Sequence, residues 1–224
     1  MKIALDGPSG AGKSSLARAI ADKLQIVYVD TGALYRSIGL FVRGRNIDPK
    51  DAAAVEACLP DIDLRLAHEG GEQHIYLCGK DVGDSIRTPE MSMYASAVSA
   101  IPAVRAFLLD TQRSIAEKTS VIMDGRDIGT VILPNAEVKI FLTASSEARA
   151  RRRVLELEAK GIATTYEEVL SDMIERDKND STRKTAPAIP AADAVFLDNS
   201  DLTFEETVEK ALAIIAAKTE EIKG

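Results

Sequence analysis

The sequence predicts an α/β protein in which a parallel sheet is flanked by helices on both sides. Short runs that are apolar on successive residues alternate with stretches whose apolar residues recur at helical spacing. The first pattern is typical of parallel strands buried on both faces, and the second of amphipathic helices. Their alternation along 224 residues indicates a single α/β domain with a substantial core.

Each predicted element has its own pattern. Apolar spacing predicts helices over residues 14–24 and 104–115. A Thr followed three residues later by Glu, the capping-box pattern, predicts two more helices that begin at Thr165 and Thr203. The predicted strands are the apolar runs at residues 3–5, 26–29, 121–123, 138–142 and 194–197.

The alternation of elements breaks between residues 64 and 99. Residues 64–67 and 74–82 alternate in residue type, with Gly70-Gly71 between them. This pattern predicts a short antiparallel hairpin, inserted into the α/β core on the side of its loops. Insertions on that side usually shape a substrate site.

Composition argues against several classes of protein. The net charge of −7 disfavours long nucleic acid as a partner, since such a partner requires a basic face. No apolar run is long enough to span a bilayer, and the first glycine-rich segment comes too early for a signal peptide. Cys58 and Cys78 lack metal-ligand spacing and indicate reduced thiols. We therefore expect a soluble, cytoplasmic protein that does not bind membranes.

A glycine-rich loop between the first predicted strand and helix is the most specific motif. It has the form G-x-x-x-x-G-K-[ST], whose glycines let backbone N–H groups point at phosphate oxygens beside a helix N-terminus. Lys13 can reach the β- and γ-phosphates, and the Ser14 hydroxyl can face Mg²⁺. The motif predicts a site for ATP as phosphoryl donor, with contacts from Gly7, Pro8, Ser9, Gly10, Ala11, Gly12, Lys13, Ser14 and Ser15.

A second candidate segment, D-G-R-D, follows the apolar run at residues 121–123. A carboxylate there lies at the sheet edge where α/β sites assemble, so Asp124 is a candidate for orienting Mg²⁺ through a bound water. The alternative is a plain strand-end turn of the Asp-Gly type. Arg126 and Asp127 come next, and such a pair can bind both a phosphate and a base edge.

Arginines cluster in the later part of the chain. The first three are spaced i, i+3 and i+4, so they share one face of a helix. Arginine forks are suited to the charge that phosphoryl transfer spreads over oxygens, whereas a solvated charged face is the alternative for any one of them. The set comprises Arg149, Arg152, Arg153, Arg176 and Arg183.

Three further motifs resemble those of bacterial cytidylate kinases, which belong to the nucleoside monophosphate kinase group of P-loop kinases. They are D-T-G-A-L-Y-R at 30–36, D-G-R-D-I-G-T at 124–130 and E-R-D-K-N-D at 175–180, and the resemblance covers nearly the whole chain. It implies a five-stranded parallel core, a monophosphate-binding domain with a small antiparallel insertion, and a short lid. It also implies Mg²⁺-dependent transfer of phosphate from ATP to CMP or dCMP.

The resemblance also assigns roles to single residues. It implies catalytic roles for Lys13, Arg126 and Arg176, and an ATP contact for Arg152. The implied acceptor contacts are Thr31, Tyr35 and Arg36, with Ser96, Arg105 and Asp127 for the base, Asp180 for the sugar, and Arg126, Arg176 and Arg183 for phosphates.

The chemistry of cytosine agrees with part of this assignment. A carboxylate such as Asp127 accepts from the N4 amino group, and Arg105 can donate to the ring acceptors. Ser96 has the alternative of a helix-face serine, and Arg105 that of a surface arginine. No general base is required, because a phosphate acceptor is already anionic.

The expected domain boundaries follow from the same resemblance. The core takes residues 1–32, 101–148 and 186–224, and the monophosphate-binding region takes 33–100, with its insertion at 62–99. The lid takes residues 149–185; its closing part, about 152–166, turns at 160–162, and its closure would expel water.

The sequence also allows other functions. The chain could be another small P-loop kinase acting on UMP, AMP or a non-nucleotide acceptor. A non-catalytic nucleotide switch is a different class, which the lack of an Asn-Lys-x-Asp segment disfavours. We expect a monomer.

Overall fold

The computed structural model describes residues 1–69 and 72–223. The predicted Gly70-Gly71 turn lies outside these residues. A 3₁₀ turn at Leu59–Asp61 and a short π-helical segment at Ile128–Ile132 accompany the regular elements. In chain order those elements are β1 (Lys2–Asp6), α1 (Lys13–Leu24), β2 (Val27–Asp30), α2 (Thr31–Gly44), α3 (Ala52–Cys58), β3 (Leu64–Glu69), β4 (Glu72–Leu77), β5 (Lys80–Asp81), α4 (Pro89–Ser99), α5 (Pro102–Lys118), β6 (Val121–Gly125), β7 (Val138–Thr143), α6 (Ser146–Ala159), α7 (Tyr166–Thr182), β8 (Val195–Asp198) and α8 (Phe204–Lys223).

The chain divides into two compact units. The first comprises residues 1–28 and 119–224, and the second comprises residues 29–118. The predicted core border near residue 101 therefore differs from the observed one at 119, because α5 lies in the second unit. There, Val104 and Leu108 of α5 are fully buried in the hydrophobic cluster of that unit.

A five-stranded parallel sheet organises the first unit, as predicted. Its strand order is β2-β6-β1-β7-β8. The register places Asp6 opposite Gly125 on one side and Phe141 on the other, so β1, β6 and β7 end at one edge. Ile3, Leu5 and other strand residues are fully buried, which explains their apolar runs. The loops that follow β1 and β6 are thereby brought together.

The second unit is a helical cluster with a small sheet. Strands β3, β4 and β5 form an antiparallel sheet in that order, with Leu64 opposite Leu77, which confirms the predicted hairpin. Helix α2 packs against α4 and β4. Its apolar face includes the fully buried Leu34 and Ile38.

Both predicted capping boxes are present. The Thr165 hydroxyl accepts from the Glu168 amide, and the Glu168 carboxylate accepts from the Thr165 amide, at the start of α7. Thr203 and Glu206 exchange the same two hydrogen bonds before α8. These caps satisfy backbone donors that a helix start would otherwise leave unpaired.

No single helix among the described residues combines the length and the apolar character of a membrane span. The bent pair α4 and α5 meets both criteria only when the two helices are counted together.

Candidate active site

The glycine-rich loop joins β1 to α1 in the first unit, and its glycines have backbone conformations that other residues adopt rarely. Gly7, Gly10 and Gly12 have φ values of 148°, 75° and 90°. A Cβ at Gly7 would lie 1.9 Å from the backbone oxygen of Leu142, so a side chain cannot be placed there. The first glycine is therefore required by close packing against β7.

The N-terminus of α1 is open to solvent at Ser14 and Ser15, and its first turn carries no acidic residue. The N–H groups at such an end carry partial positive charge. Lys13 lies in the same turn, is 6% exposed, and donates from Nζ to the Pro8 carbonyl oxygen at 2.7 Å. Burial, and then the nearby Arg126 guanidinium, hold the pKa of Lys13 well below its usual range. Burying the charged ammonium costs free energy, and an anionic phosphate is the kind of ligand that offsets this cost.

Ser14 and Asp124 meet across the sheet edge. The Ser14 hydroxyl donates to Asp124 Oδ2 at 2.8 Å, and the Tyr28 hydroxyl donates to Oδ1 at 3.1 Å. Asp124 is buried and faces the loop, so its role exceeds that of a plain strand-end turn. A hydroxyl and a carboxylate are hard oxygen donors, and Mg²⁺ is commonly held by one or two carboxylates together with substrate phosphates. This pair fits Mg²⁺.

Three residues predicted for the acceptor form one cluster in the first unit. Arg126 donates from Nε to Asp180 Oδ2 at 3.1 Å, and Arg183 approaches Asp180 Oδ1 at 3.9 Å. Arg183 also donates to the Ala186 carbonyl oxygen at 2.7 Å. Arg176 lies on α7 one turn before Asp180, which places it on the same helix face. The structure therefore brings these three predicted residues together, with Arg176 one turn away on the same face of α7.

Asp127 is buried at the start of the π-helical segment that follows β6. The segment is held by a residue that the sequence analysis missed. Asp6 accepts from the backbone amides of Ile128 at 2.8 Å and Gly129 at 2.7 Å. Burial is the largest cause that raises the pKa of Asp6 to about 6. The sequence marked Asp6 only as a carboxylate that directly follows the apolar run at residues 3–5, without indicating what it contacts.

The second unit carries the other predicted acceptor residues. Arg36 forms an ion pair with Asp30 at 2.7 Å, and Asp30 also caps α2 by accepting from the Ala33 amide. The guanidinium of Arg105 lies 5.5 Å from the centre of the Tyr35 ring, a cation–π arrangement.

The sequence left open whether Arg105 is a surface arginine and Ser96 a helix-face serine, and the burial of these residues bears on that choice. Arg105 is 8% exposed and donates to the Ser99 carbonyl oxygen at 3.2 Å, so it is not a surface arginine. Thr31 is buried, whereas Ser96 is half-buried on α4.

The three arginines expected to share a face of α6 have separate partners. Arg149 is buried against the Ser9 carbonyl oxygen and Asp177, and Arg153 pairs with Glu156 near the surface. Arg152 donates to the Asn199 carbonyl oxygen at 2.6 Å and to its Oδ1 at 3.1 Å. Helical spacing fixed the direction of these side chains but not their partners.

Comparisons with known proteins agree with this arrangement. The sequence profile of the family described as cytidylate kinase matches residues 3–217. The chain belongs to this family. A cytidylate kinase from Fervidobacterium nodosum is 49% identical over 214 residues, 96% of this chain and 95% of that protein. One from Carboxydothermus hydrogenoformans is 46% identical over 220 residues, 98% of this chain and 99% of that protein.

Solved structures confirm the fold. A gluconokinase from Sinorhizobium meliloti 1021 aligns with a TM-score of 0.52 at 17% identity, covering 99% of this chain and 95% of that one. The likeness is one of fold, and it agrees with the predicted α/β architecture of this cytidylate kinase family member.

Two further residues of this family member contact the site and were not predicted. Tyr28 donates to Asp124, and Asn199 donates from Nδ2 to the Ala11 carbonyl oxygen of the loop at 3.1 Å. Neither lies in a motif. Each residue is more than ninety positions away in sequence from the residue that it contacts, so only the fold shows the contact.

Proposed function

We propose that this chain transfers the γ-phosphoryl group of ATP to CMP and dCMP, giving CDP and dCDP. The observation that carries the proposal is the match of residues 3–217 to the cytidylate kinase family. The glycine-rich loop, with a buried lysine and an open helix N-terminus, supplies a site of the kind that holds a triphosphate.

The donor side is assigned to the loop. Its backbone N–H groups and Lys13 bind the β- and γ-phosphates, and Arg152 lies nearby through its contacts with Asn199. Ser14 and Asp124 would hold Mg²⁺, directly or through a bound water. When bound, Mg²⁺ neutralises phosphate charge.

The base of the acceptor is assigned to Asp127, Arg105 and Ser96. Cytosine presents an N4 amino donor beside acceptors at N3 and O2, and uracil presents an acceptor and a donor at the first two positions. A carboxylate accepts from N4 of cytosine and repels O4 of uracil. Buried polar matches of this kind discriminate strongly, because the wrong base leaves groups unpaired.

The phosphate of the acceptor is assigned to arginines and its sugar to Asp180. Thr31 and Tyr35 are assigned as further acceptor contacts. In the structure, Arg36 is paired with Asp30, and Arg126 with Asp180. A phosphate offers each guanidinium a bidentate partner of higher charge. The arginines so assigned are Arg36, Arg126, Arg176 and Arg183.

Transfer needs positioning and charge neutralisation rather than a protein base. The acceptor phosphate is anionic near neutral pH and attacks in line with the leaving oxygen. Lys13, Arg126 and Arg176 stabilise the charge that spreads over the transferred group. The lid, residues 149–185, closes over the nucleotides and excludes water, which would otherwise compete as acceptor. The monomeric state and cytoplasmic location stay predictions.

A panel of monophosphates in a coupled ATP-consumption assay tests the proposal. We expect CMP and dCMP to be phosphorylated with higher kcat/KM than UMP, AMP or a non-nucleotide acid such as gluconate. Faster use of AMP or UMP would refute the base assignment. Tight nucleotide binding with no transfer to any acceptor would favour a regulatory switch instead.

A further inference from the structure

Each of the three guanidinium nitrogens of Arg149, on α6, has a hydrogen-bond or ion-pair partner within the first unit. Nε donates to the Ala144 carbonyl oxygen at 2.9 Å, and Nη1 donates to the Ser9 carbonyl oxygen at 2.9 Å. Nη2 lies 2.6 Å from Asp177 Oδ2. The residue is only 4% exposed. One buried side chain thus joins the glycine-rich loop to α7.

The contact with Ser9 orients a backbone amide. In a planar trans peptide, the carbonyl of one residue and the N–H of the next point in opposite directions. A guanidinium that holds the Ser9 carbonyl therefore turns the N–H of Gly10 to the other side. The loop amides are the groups that bind phosphate oxygens in this motif.

The contact with Asp177 reaches the helix that carries the acceptor residues. Asp177 follows Arg176 directly and precedes Asp180 by three residues on α7. The same helix also packs on the loop: a Cβ at Gly10 would lie 3.0 Å from Met173 Cε and 3.5 Å from Arg149 Cβ. The loop and α7 are therefore in contact through both a polar and an apolar path.

We propose that Arg149 is a positioning residue that couples ATP binding at the loop to CMP binding at α7. The proposal rests on the function proposed above. ATP binding fixes the Ser9–Gly10 peptide, and Arg149 transmits this restraint to Asp177 and hence to Arg176 and Asp180. By thermodynamic linkage, CMP then tightens ATP binding by the same factor.

A lysine cannot replace Arg149. The three acceptors are held by three different nitrogens of a planar fork, and an ammonium at the end of a flexible chain cannot satisfy all of them in one position. Arg149→Lys therefore keeps the charge but should lose the coupling, as should Arg149→Gln.

Calorimetry of CMP binding, with and without a non-hydrolysable ATP analogue, measures the coupling directly. We expect the analogue to tighten CMP binding about fivefold or more in the wild type, and by less than about twofold in Arg149→Gln and Arg149→Lys. Asp177→Asn approaches the contact from α7 and should lower the coupling as well. The coupling factor of the double variant, Arg149→Gln with Asp177→Asn, should be no lower than that of Arg149→Gln alone, because both changes remove the same Arg149–Asp177 contact.

Two comparison variants separate coupling from other effects. Asn199→Ala removes a different side chain that holds a loop carbonyl, so it should weaken analogue binding while the coupling factor is kept. Arg151→Gln makes the same chemical change as Arg149→Gln at an exposed position of α6 and should match the wild type.

Some outcomes would overturn the proposal. Wild-type coupling retained in Arg149→Lys and Arg149→Gln, with only a lower melting temperature, would reduce Arg149 to a structural role. A wild type without coupling would also refute it. If the wild type binds another monophosphate in place of CMP, the proposed function fails, and the same variants are then measured with that monophosphate.

Discussion

The glycine-rich loop has its carbonyl oxygens held by buried side chains, whereas the arginines assigned to CMP are paired with the protein's own carboxylates. The carbonyl oxygens of Pro8, Ser9 and Ala11 all accept such hydrogen bonds. Arg36 instead pairs with Asp30. We therefore expect ATP to bind at the loop without displacing an ion pair there, whereas the CMP phosphate has to replace Asp30 as the partner of Arg36. Changes on the donor side should act mainly on kcat, and changes on the acceptor side on the use of CMP.

Lys13→Ala tests the donor side and should have the largest effect. The ammonium is assigned to the β- and γ-phosphates, where it would stabilise the charge that develops during transfer, so we expect kcat to fall about a thousandfold. Steady-state kinetics at saturating ATP and CMP measure this effect. Lys23→Ala, on the exposed side of the same helix, is the matched control and should be neutral. Near-normal kcat in Lys13→Ala would show that its role is wrongly assigned.

Asp6→Asn tests how the buried Asp6 carboxyl, which holds the segment after β6, affects the free energy of unfolding. Burial raises the pKa of Asp6 from 3.8 to about 6 in the folded protein, so the folded state holds the proton more tightly than the unfolded state. The stability contributed by Asp6 is therefore fully present below pH 3.8 and is lost as pH rises through 6. This difference corresponds to roughly 3 kcal/mol.

Urea unfolding at several pH values measures this effect. The free energy of unfolding of the wild type, relative to Asp6→Asn, should fall by up to roughly 3 kcal/mol between pH 4 and pH 7. Asp22→Asn, at an exposed position of α1, should follow the wild type at every pH. A wild-type curve parallel to that of Asp6→Asn would contradict the raised pKa.

Asp6 also shows why the sequence predicted the loop but not its supports. The loop motif is local, so spacing alone identified it. The strands were predictable because burial on both faces leaves continuous apolar runs. The partner of Asp6 is the backbone at Ile128 and Gly129, more than a hundred residues away. No local pattern encodes that contact; it exists because β1 and β6 are neighbours in the sheet.

The arginines of α6 also show that a local pattern does not reveal contacts with distant elements. Their spacing placed them on one face, as helical geometry requires. Their partners, Ser9 and Asp177 for Arg149 and Asn199 for Arg152, belong to other elements. Helical spacing therefore predicted which face these arginines share but not the loop and helix residues that they contact.

Arg36→Ala tests the acceptor side. Removing the guanidinium takes away a proposed bidentate contact with the CMP phosphate, so kcat/KM for CMP should fall about a hundredfold, with KM for ATP changed by less than about threefold. Arg43→Ala is a close control, because Arg43 lies on the same helix and also pairs with a carboxylate, Glu90, but at the surface. An unchanged KM for CMP in Arg36→Ala would remove Arg36 from the acceptor site.

Asp127→Asn makes the smallest and most selective change. The amide group of asparagine can donate to O4 of uracil, which the buried carboxylate repels, and its oxygen can still accept from N4 of cytosine. We expect the ratio of kcat/KM for CMP to that for UMP to fall about tenfold, mostly through better use of UMP. Asp110→Asn, at an exposed position of α5, should leave the ratio unchanged. A ratio that stays constant in Asp127→Asn while both rates fall would mean that Asp127 supports the turn after β6 instead of reading the base.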